Sequence, residues 1–334
     1  MAPPWNPIPP PLYGGIELVV DLLARGFQKA GHDVILFATG DSTCPVPMKW
    51  ALAESEGMRI GMAVPEIRHV LHAYEVVRDC DIVHDHTVVG PVYAERFSGL
   101  PVVTTIHGPF NEELHDLYRA VTPRVHLVCI SESQRRSAPD VPVARVIHHG
   151  IDARDFPMGN GDGGYCLFLG RIAPDKGAHR AIAVAKAAGM PIILAGKMRE
   201  PWEWSYFRQH VEPQLGPGVE YLGEVDHARK LDLLGGAKAL LFPIRWPEPF
   251  GLVMLESMAC GTPVLAFPEG AAPEVVDDGR TGFICADEEE MAQALLRVAT
   301  IDRASCRKVT EGYFSADRMV ADHLDLFTKI LDDS

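Results

Sequence analysis

Short runs that are apolar at nearly every position recur along this chain, and stretches with helical spacing separate them. The runs predict strands at 33–38, 81–84, 101–106, 125–130 and 144–148. A second series follows at 165–169, 191–195, 219–222, 239–242, 264–266 and 282–284. Helical patterns fall between them, for example at 16–30 and 112–121. A strand with one wet face alternates apolar and polar residues. A continuous apolar run instead fits a parallel sheet covered by helices on both faces. Two such series, in a chain of 334 residues that is too long for one compact core, predict two doubly wound α/β domains. Ligands of such sheets bind at the carboxyl ends of the strands. The stretch 155–164, with four glycines and a proline, is the expected linker.

The opening departs from this plan. Met1 leads directly into Ala2-Pro3-Pro4-Trp5 and a proline-rich loop, where a doubly wound domain would place a buried strand. The favoured expectation is a start that falls too late, so that the first strand is absent. The alternative is an outer element in its place.

Composition narrows the function. With 31 basic against 45 acidic residues the net charge is −14, which argues against nucleic acid as a general partner. The seven cysteines are scattered without a CxxC pair, as reduced core thiols are, and point to a reducing compartment. No apolar run approaches the roughly 20 residues of a membrane span, and no signal peptide opens the sequence. A cytoplasmic protein is expected.

The segment Glu248-Pro249-Phe250-Gly251-Leu252-Val253-Met254-Leu255-Glu256 carries the most chemistry. Pro249 and Gly251 break the apolar run before them, and 252–259 reads as a helix stopped by Gly261 and Pro263. A helix N-terminus opened by glycine attracts anions. Carboxylates repel phosphate but accept hydrogen bonds from hydroxyls, so the segment suits a ligand with a phosphate core and hydroxyls at both ends. A nucleotide sugar is such a ligand. Arg171 and Lys176 lie just past a predicted strand and at the head of the next helix, placed to clamp a diphosphate. The competing reading is a pair of surface cations, one neutralised by Asp175.

Tyr13-Gly14-Gly15-Ile16-Glu17 opens the first helix, and its glycines allow close backbone approach to a ligand. It is not a dinucleotide-binding fingerprint, because no strand precedes it. Histidines gather at strand ends: His84 and His86, His107 before a Gly-Pro turn, and His148-His149. His107 is placed to donate to a sugar hydroxyl or phosphate, whereas His84 and His148 read as structural. A His-Asp-His run that continues a strand alternates faces, so no metal site is expected there. Asp79-Cys80-Asp81 precedes its strand, where a metal-bound diphosphate would need it to follow one.

Together these residues resemble the retaining glycosyltransferases of family four. That resemblance implies the GT-B fold, two facing Rossmann-like doubly wound domains with a C-terminal helix crossing back. It spans nearly the whole chain. Its most specific pieces are 170–177, Tyr221-Leu222-Gly223-Glu224-Val225, 248–256 with the following 259–264, and 273–282. The implied domains are 1–155 on the acceptor side, 156–314 for the nucleotide sugar, and a returning helix in 315–334. In such an enzyme Arg171 and Lys176 hold the donor diphosphate, Glu248 meets the donor sugar hydroxyls, and Glu256 meets the ribose hydroxyls. Backbone groups of Phe250, Gly251 and Leu252 line the sugar and phosphates, and Gly15 approaches the diphosphate from the other domain. His107 matches the active-site histidine, and Val225 marks the segment beside the nucleobase.

The resemblance implies a hexosyltransferase that retains anomeric configuration and uses neither metal nor cofactor. UDP-glucose is the first donor to expect, ahead of GDP-mannose and ADP-glucose. The acceptor is small or a carbohydrate, and without a basic amphipathic N-terminal helix the chain gives little reason to expect membrane association. Two other readings remain open, an epimerase of nucleotide sugars on the same fold and a non-catalytic nucleotide-sugar-binding protein.

Overall fold

The structure is a computed structural model that describes every residue except Tyr13, Pro123 and Ser334. Tyr13, the first residue of the Tyr13-Gly14-Gly15-Ile16-Glu17 segment, therefore lies outside the described residues. The chain forms two compact units, one of Met1–Gly150 with Ala316–Ser334 and the other of Ile151–Ser315.

In the first unit β1 (Leu36–Ala38) pairs in parallel with β2 (Met48–Trp50). A separate four-stranded parallel sheet runs β3 (Val83–Asp85), β4 (Val102–Thr105), β5 (His126–Cys129), β6 (Arg145–Val146) in that order. Every residue of β4 is buried, which explains its unbroken apolar and threonine run. No strand precedes the helix Gly15–Lys29 among the described residues. Met1 and Ala2 bridge the two sheets instead. Ala2 N donates to Phe37 O at 2.9 Å, while His86 N donates to Met1 O at 3.1 Å and Met1 N to His84 O at 2.6 Å. The last helix, Ala316–Asp332, packs on Gly15–Lys29. Gly26 makes that approach feasible, since a Cβ there would lie 2.3 Å from Val320 Cγ2.

The second unit holds β7 (Cys166–Leu169), β8 (Ile192–Ala195), β9 (Val219–Tyr221), β10 (Leu240–Phe242), β11 (Val264–Ala266) and β12 (Gly282–Ile284). They form one parallel sheet in the order β12-β11-β10-β7-β8-β9. Counted within the unit the order is 3-2-1-4-5-6, so the winding reverses between β7 and β10. A crevice at that switch point, at the carboxyl ends of the strands, is where such sheets bind ligands. Cys166, Phe168, Leu194, Leu241 and Leu265 pack into the core beside Ile182 of the helix Ala178–Ala187.

Three expectations need correction. The glycine-rich 155–164 stretch is no free linker. Gly159 N, Gly161 N and Gly163 N donate to Cys260 O, Gly235 O and Gly236 O, and Arg303 grips Gly159 O. The units divide at Gly150–Ile151 and Ser315–Ala316 instead. The strand at 48–50 was not expected, because its half-exposed Met-Lys-Trp run carries no buried apolar signal. The strand expected at 144–148 shrinks to two residues. Among the described residues no helix is long and apolar enough to cross a membrane.

Candidate active site

The chain leaving β7 and the chain leaving β10 place the predicted donor residues at the switch point of the second sheet. Gly170 N donates to Ala195 O, which holds the exit of β7 against β8. Arg171 follows. Its Nη1 lies 3.1 Å from Glu203 Oε1, its Nη2 lies 3.7 Å from Asp175 Oδ2, and its guanidinium sits 5.6 Å from the centre of the Trp202 ring.

Lys176 ends the same loop. Gly177 then opens the helix Ala178–Ala187 with φ +80°, and a Cβ there would lie 2.5 Å from Pro243 O, so the loops after β7 and β10 touch at this glycine. The Lys176 ammonium is ion-paired with Glu248 Oε2 and lies 4.4 Å from the centre of the Trp246 ring. Trp246 Nε1 donates to the same Glu248 oxygen at 2.8 Å. Both contacts fall on Oε2, and neither uses Oε1. The side chains of Lys176 and Glu248 are only 15% and 14% exposed, so the pair is largely screened from water.

Gly251 caps the helix Leu252–Ala259 in the left-handed region at φ +85°, as the glycine-opened helix start required. The Phe250 ring is buried with its centre 6.2 Å from that of Phe314. One turn into the helix, buried Glu256 accepts from Lys230 Nζ at 2.6 Å. Lys230 lies in the helix His227–Gly236, which Asp226 caps by accepting from Arg229 N. Val225 immediately precedes that cap, half-buried in the loop after β9. Arg171, Lys176, Val225, Glu248, Phe250, Gly251, Leu252 and Glu256 thus all belong to one unit.

Gly15 and His107 belong to the other unit. Gly15 is the first residue of its helix. His107 follows β4, and Gln134 Nε2 fixes the backbone on both sides of it by donating to Ile106 O and Gly108 O. His107 Nε2 meets His86 Nδ1 at 2.9 Å, and its ring stacks on His149 with centres 5.3 Å apart. His84 and His323 extend the row, 4.9 Å apart. Burial among like groups pushes His107 down to about 3 and His323 to about 4, and it holds His84, His86 and His149 well below the usual imidazole range. His107 is therefore a neutral donor and acceptor rather than a cation. Among the described residues no group of three or more histidine, cysteine or acidic side chains is placed to hold a metal ion.

The row makes the fold acid-sensitive, with a definite sign. His323 Nδ1 donates to Met319 O at 2.8 Å, so protonation would fall on Nε2, a buried nitrogen with no hydrogen-bond partner among the described residues. An unfolded histidine titrates near 6.5, so as pH falls below that value the unfolded chain binds protons that the native fold refuses. Stability is full above about pH 6.5 and declines toward pH 4, by about 1.4 kcal/mol per pH unit for each excluded proton. Asp85 and Glu66, whose carboxyls burial raises, act in the opposite sense at the lower end. Urea unfolding of wild type and His323→Asn between pH 6.5 and 4.5 should give slopes that differ by about one proton.

Sequence reading missed four residues that shape these sites: Glu203, Lys230, Trp246 and Gln134. Trp246 had the strongest signal, since it lies two residues before Glu248. The others are a polar residue on an ordinary helix and two partners distant in sequence.

Two units of parallel sheet and helix, the second wound 3-2-1-4-5-6 and the last helix returned to the first unit, define the GT-B class of glycosyltransferase fold. The solved structure of Anabaena Alr3699/HepE in complex with UDP-glucose shares that fold with a TM-score of 0.76 at 17% identity, over 97% of each chain. The family model for glycosyl transferases group 1 matches residues 154–311, and that for Glycosyltransferase Family 4 matches 13–155. The chain belongs to this glycosyltransferase family, and it is an enzyme of that class. Among curated relatives, a glycogen synthase of Mycobacterium tuberculosis is 27% identical over 84% of this chain and 81% of its own. A phosphatidyl-myo-inositol mannosyltransferase of Mycolicibacterium smegmatis is 26% identical over 87% of this chain and 82% of its own.

Proposed function

We propose that the enzyme moves a hexose from a nucleotide diphosphate sugar, UDP-glucose first, to an acceptor hydroxyl with retention of anomeric configuration. The observation that carries this reading is the Lys176–Glu248–Trp246 cluster at the switch point, a cation and a hydrogen-bond acceptor held side by side. As the glycosidic bond breaks, negative charge grows on the leaving diphosphate. Arg171, Lys176 and the N-terminus of the helix Leu252–Ala259 stabilise that charge without requiring a metal ion. Glu248, with Oε2 engaged by Lys176 and Trp246, keeps Oε1 for the donor sugar hydroxyls. Glu256 meets the ribose, with Lys230 fixing its carboxylate. Phe250, Gly251 and Leu252 present backbone to the sugar and phosphates, and Val225 borders the nucleobase. Gly15 and His107, which belong to the first unit, keep the roles that the resemblance implies for them.

Among the described residues no second carboxylate contacts Glu248, so attack of the acceptor on the same face, with the leaving phosphate taking its proton, is preferred to double displacement. The UDP-glucose bound to the Anabaena structure and the glycogen synthase relatives support glucose as the sugar. The mannosyltransferase relatives keep GDP-mannose as the next donor. A small or carbohydrate acceptor is preferred. Seven unpaired thiols support a cytoplasmic setting.

Turnover of UDP-glucose, GDP-mannose and ADP-glucose with EDTA present tests the whole reading. Nucleoside diphosphate released together with transferred or free sugar is expected for one of them. A changed sugar still joined to its nucleotide would mean an epimerase, binding without turnover would mean a non-catalytic protein, and loss of activity in EDTA would mean a metal. A trapped glycosyl adduct on Glu248 would replace the same-face step.

A further inference from the structure

We infer that Glu203 is a positioning residue for Arg171, an inference that rests on Arg171 holding the donor diphosphate. Glu203 lies in the short helix Pro201–Tyr206 with no solvent exposure. Its carboxylate is divided between two tasks. Oε2 accepts from the backbone N–H of Arg199 at 2.6 Å and of Glu200 at 3.0 Å, which ties down the turn into the helix. Oε1 accepts no hydrogen bond and is ion-paired with Arg171 Nη1 at 3.1 Å.

A carboxylate buried this deeply needs a positive partner, and the partner it has is 36% exposed. A guanidinium carries five N–H donors in a rigid fork, so one nitrogen can be held by Glu203 while other donors are offered to a ligand. Asp175 and the Trp202 ring restrain the same group from other directions. Binding an anion to a side chain already fixed in place loses less freedom than binding it to a mobile one. Glu203 thus prepares the fork before the donor arrives. The competing role is structural, with Arg171 serving only to neutralise Glu203.

Glu203→Gln separates the two roles. The amide oxygen can still accept from Arg199 N and Glu200 N, but the amide NH2 then faces the guanidinium and releases it. The donor KM and the Kd of the tightest binder among UDP, GDP and ADP should each rise about tenfold, with the melting temperature within a few degrees of wild type. Adding Glu203→Gln to Arg171→Ala should weaken nucleoside diphosphate binding no further, because the two residues act as one unit. Glu203→Asp keeps the charge but withdraws it by one methylene, and it should show the same rise in smaller measure. It also serves if the glutamine variant does not fold. Impaired Arg171→Ala beside unchanged KM and Kd in Glu203→Gln, or in Glu203→Asp where that is the variant that folds, would leave the diphosphate clamp standing and overturn the positioning role. Unchanged Arg171→Ala would remove the clamp itself, and the inference with it.

Discussion

Replacing Lys176 by alanine is expected to lower kcat/KM by about 10³, equivalent to about 4 kcal/mol of lost transition-state stabilisation. Two losses combine. In the proposed donor site, the leaving diphosphate would lose a charge delivered at a partly buried position, where the local dielectric makes one ammonium worth more than in water. Glu248 loses its cation at the same time and keeps only the Trp246 N–H on Oε2, so its direction toward the sugar loosens. The two effects can be told apart. Lys176→Arg retains charge beside Glu248 but not the compact fit over the Trp246 ring, and it should recover part of the lost rate. Lys176→Met removes the charge while filling much of the volume, and it should behave like alanine. Steady-state kinetics on the preferred donor, with a melting curve for each variant, are sufficient. Activity of Lys176→Ala within threefold of wild type would remove Lys176 from the diphosphate site and leave its pairing with Glu248 as packing.

Much of the architecture was legible because parallel strands buried on both faces must be apolar throughout. β7, β10 and β11 were therefore visible as unbroken runs. β2 was not, since Lys49 and Trp50 face solvent at the edge of a two-stranded sheet. The glycine-rich 155–164 stretch was misread because flexibility in isolation says nothing of the carbonyls it meets in the fold. In the site, Glu248, Glu256, Arg171 and Lys176 stood out through spacing and turn chemistry, both local properties. Their partners did not. Lys230 reaches Glu256 from 26 residues away, and Lys176 reaches Glu248 across 72. Only the strand order that sets β7 beside β10 brings the second pair together. Glu203 illustrates the limit, since an acid on a helix reads as solvated until the fold closes over it.

A large effect is also expected at Gly270, a residue that offers no side chain. Gly270→Ala should cost several kcal/mol of stability and lower kcat/KM by about 10², although the residue makes no proposed contact with substrate. Its backbone lies at φ +57°, and a Cβ there would meet Glu248 O at 2.2 Å, Glu248 N at 2.4 Å and Glu248 C at 2.9 Å. Those are rigid backbone atoms, so relief requires the Glu248 peptide to move. The same segment anchors that peptide, with Ala271 N donating to Glu248 O at 2.9 Å. A shift of about an ångström in a positioning element can cost about 10² in rate, since catalysis depends on prior alignment. Gly279→Ala is the matched control. It imposes the same left-handed strain at φ +76° with nothing within 4 Å of its Cβ, so it should cost about 1 kcal/mol and leave kcat/KM unchanged. Donor Kd by calorimetry, kcat/KM and urea unfolding on the two variants separate strain from displacement. If both lose activity equally, backbone strain alone is responsible. If Gly270→Ala alone loses activity while remaining folded at assay temperature, the position of Glu248 is set by the absence of a methyl group on the neighbouring loop.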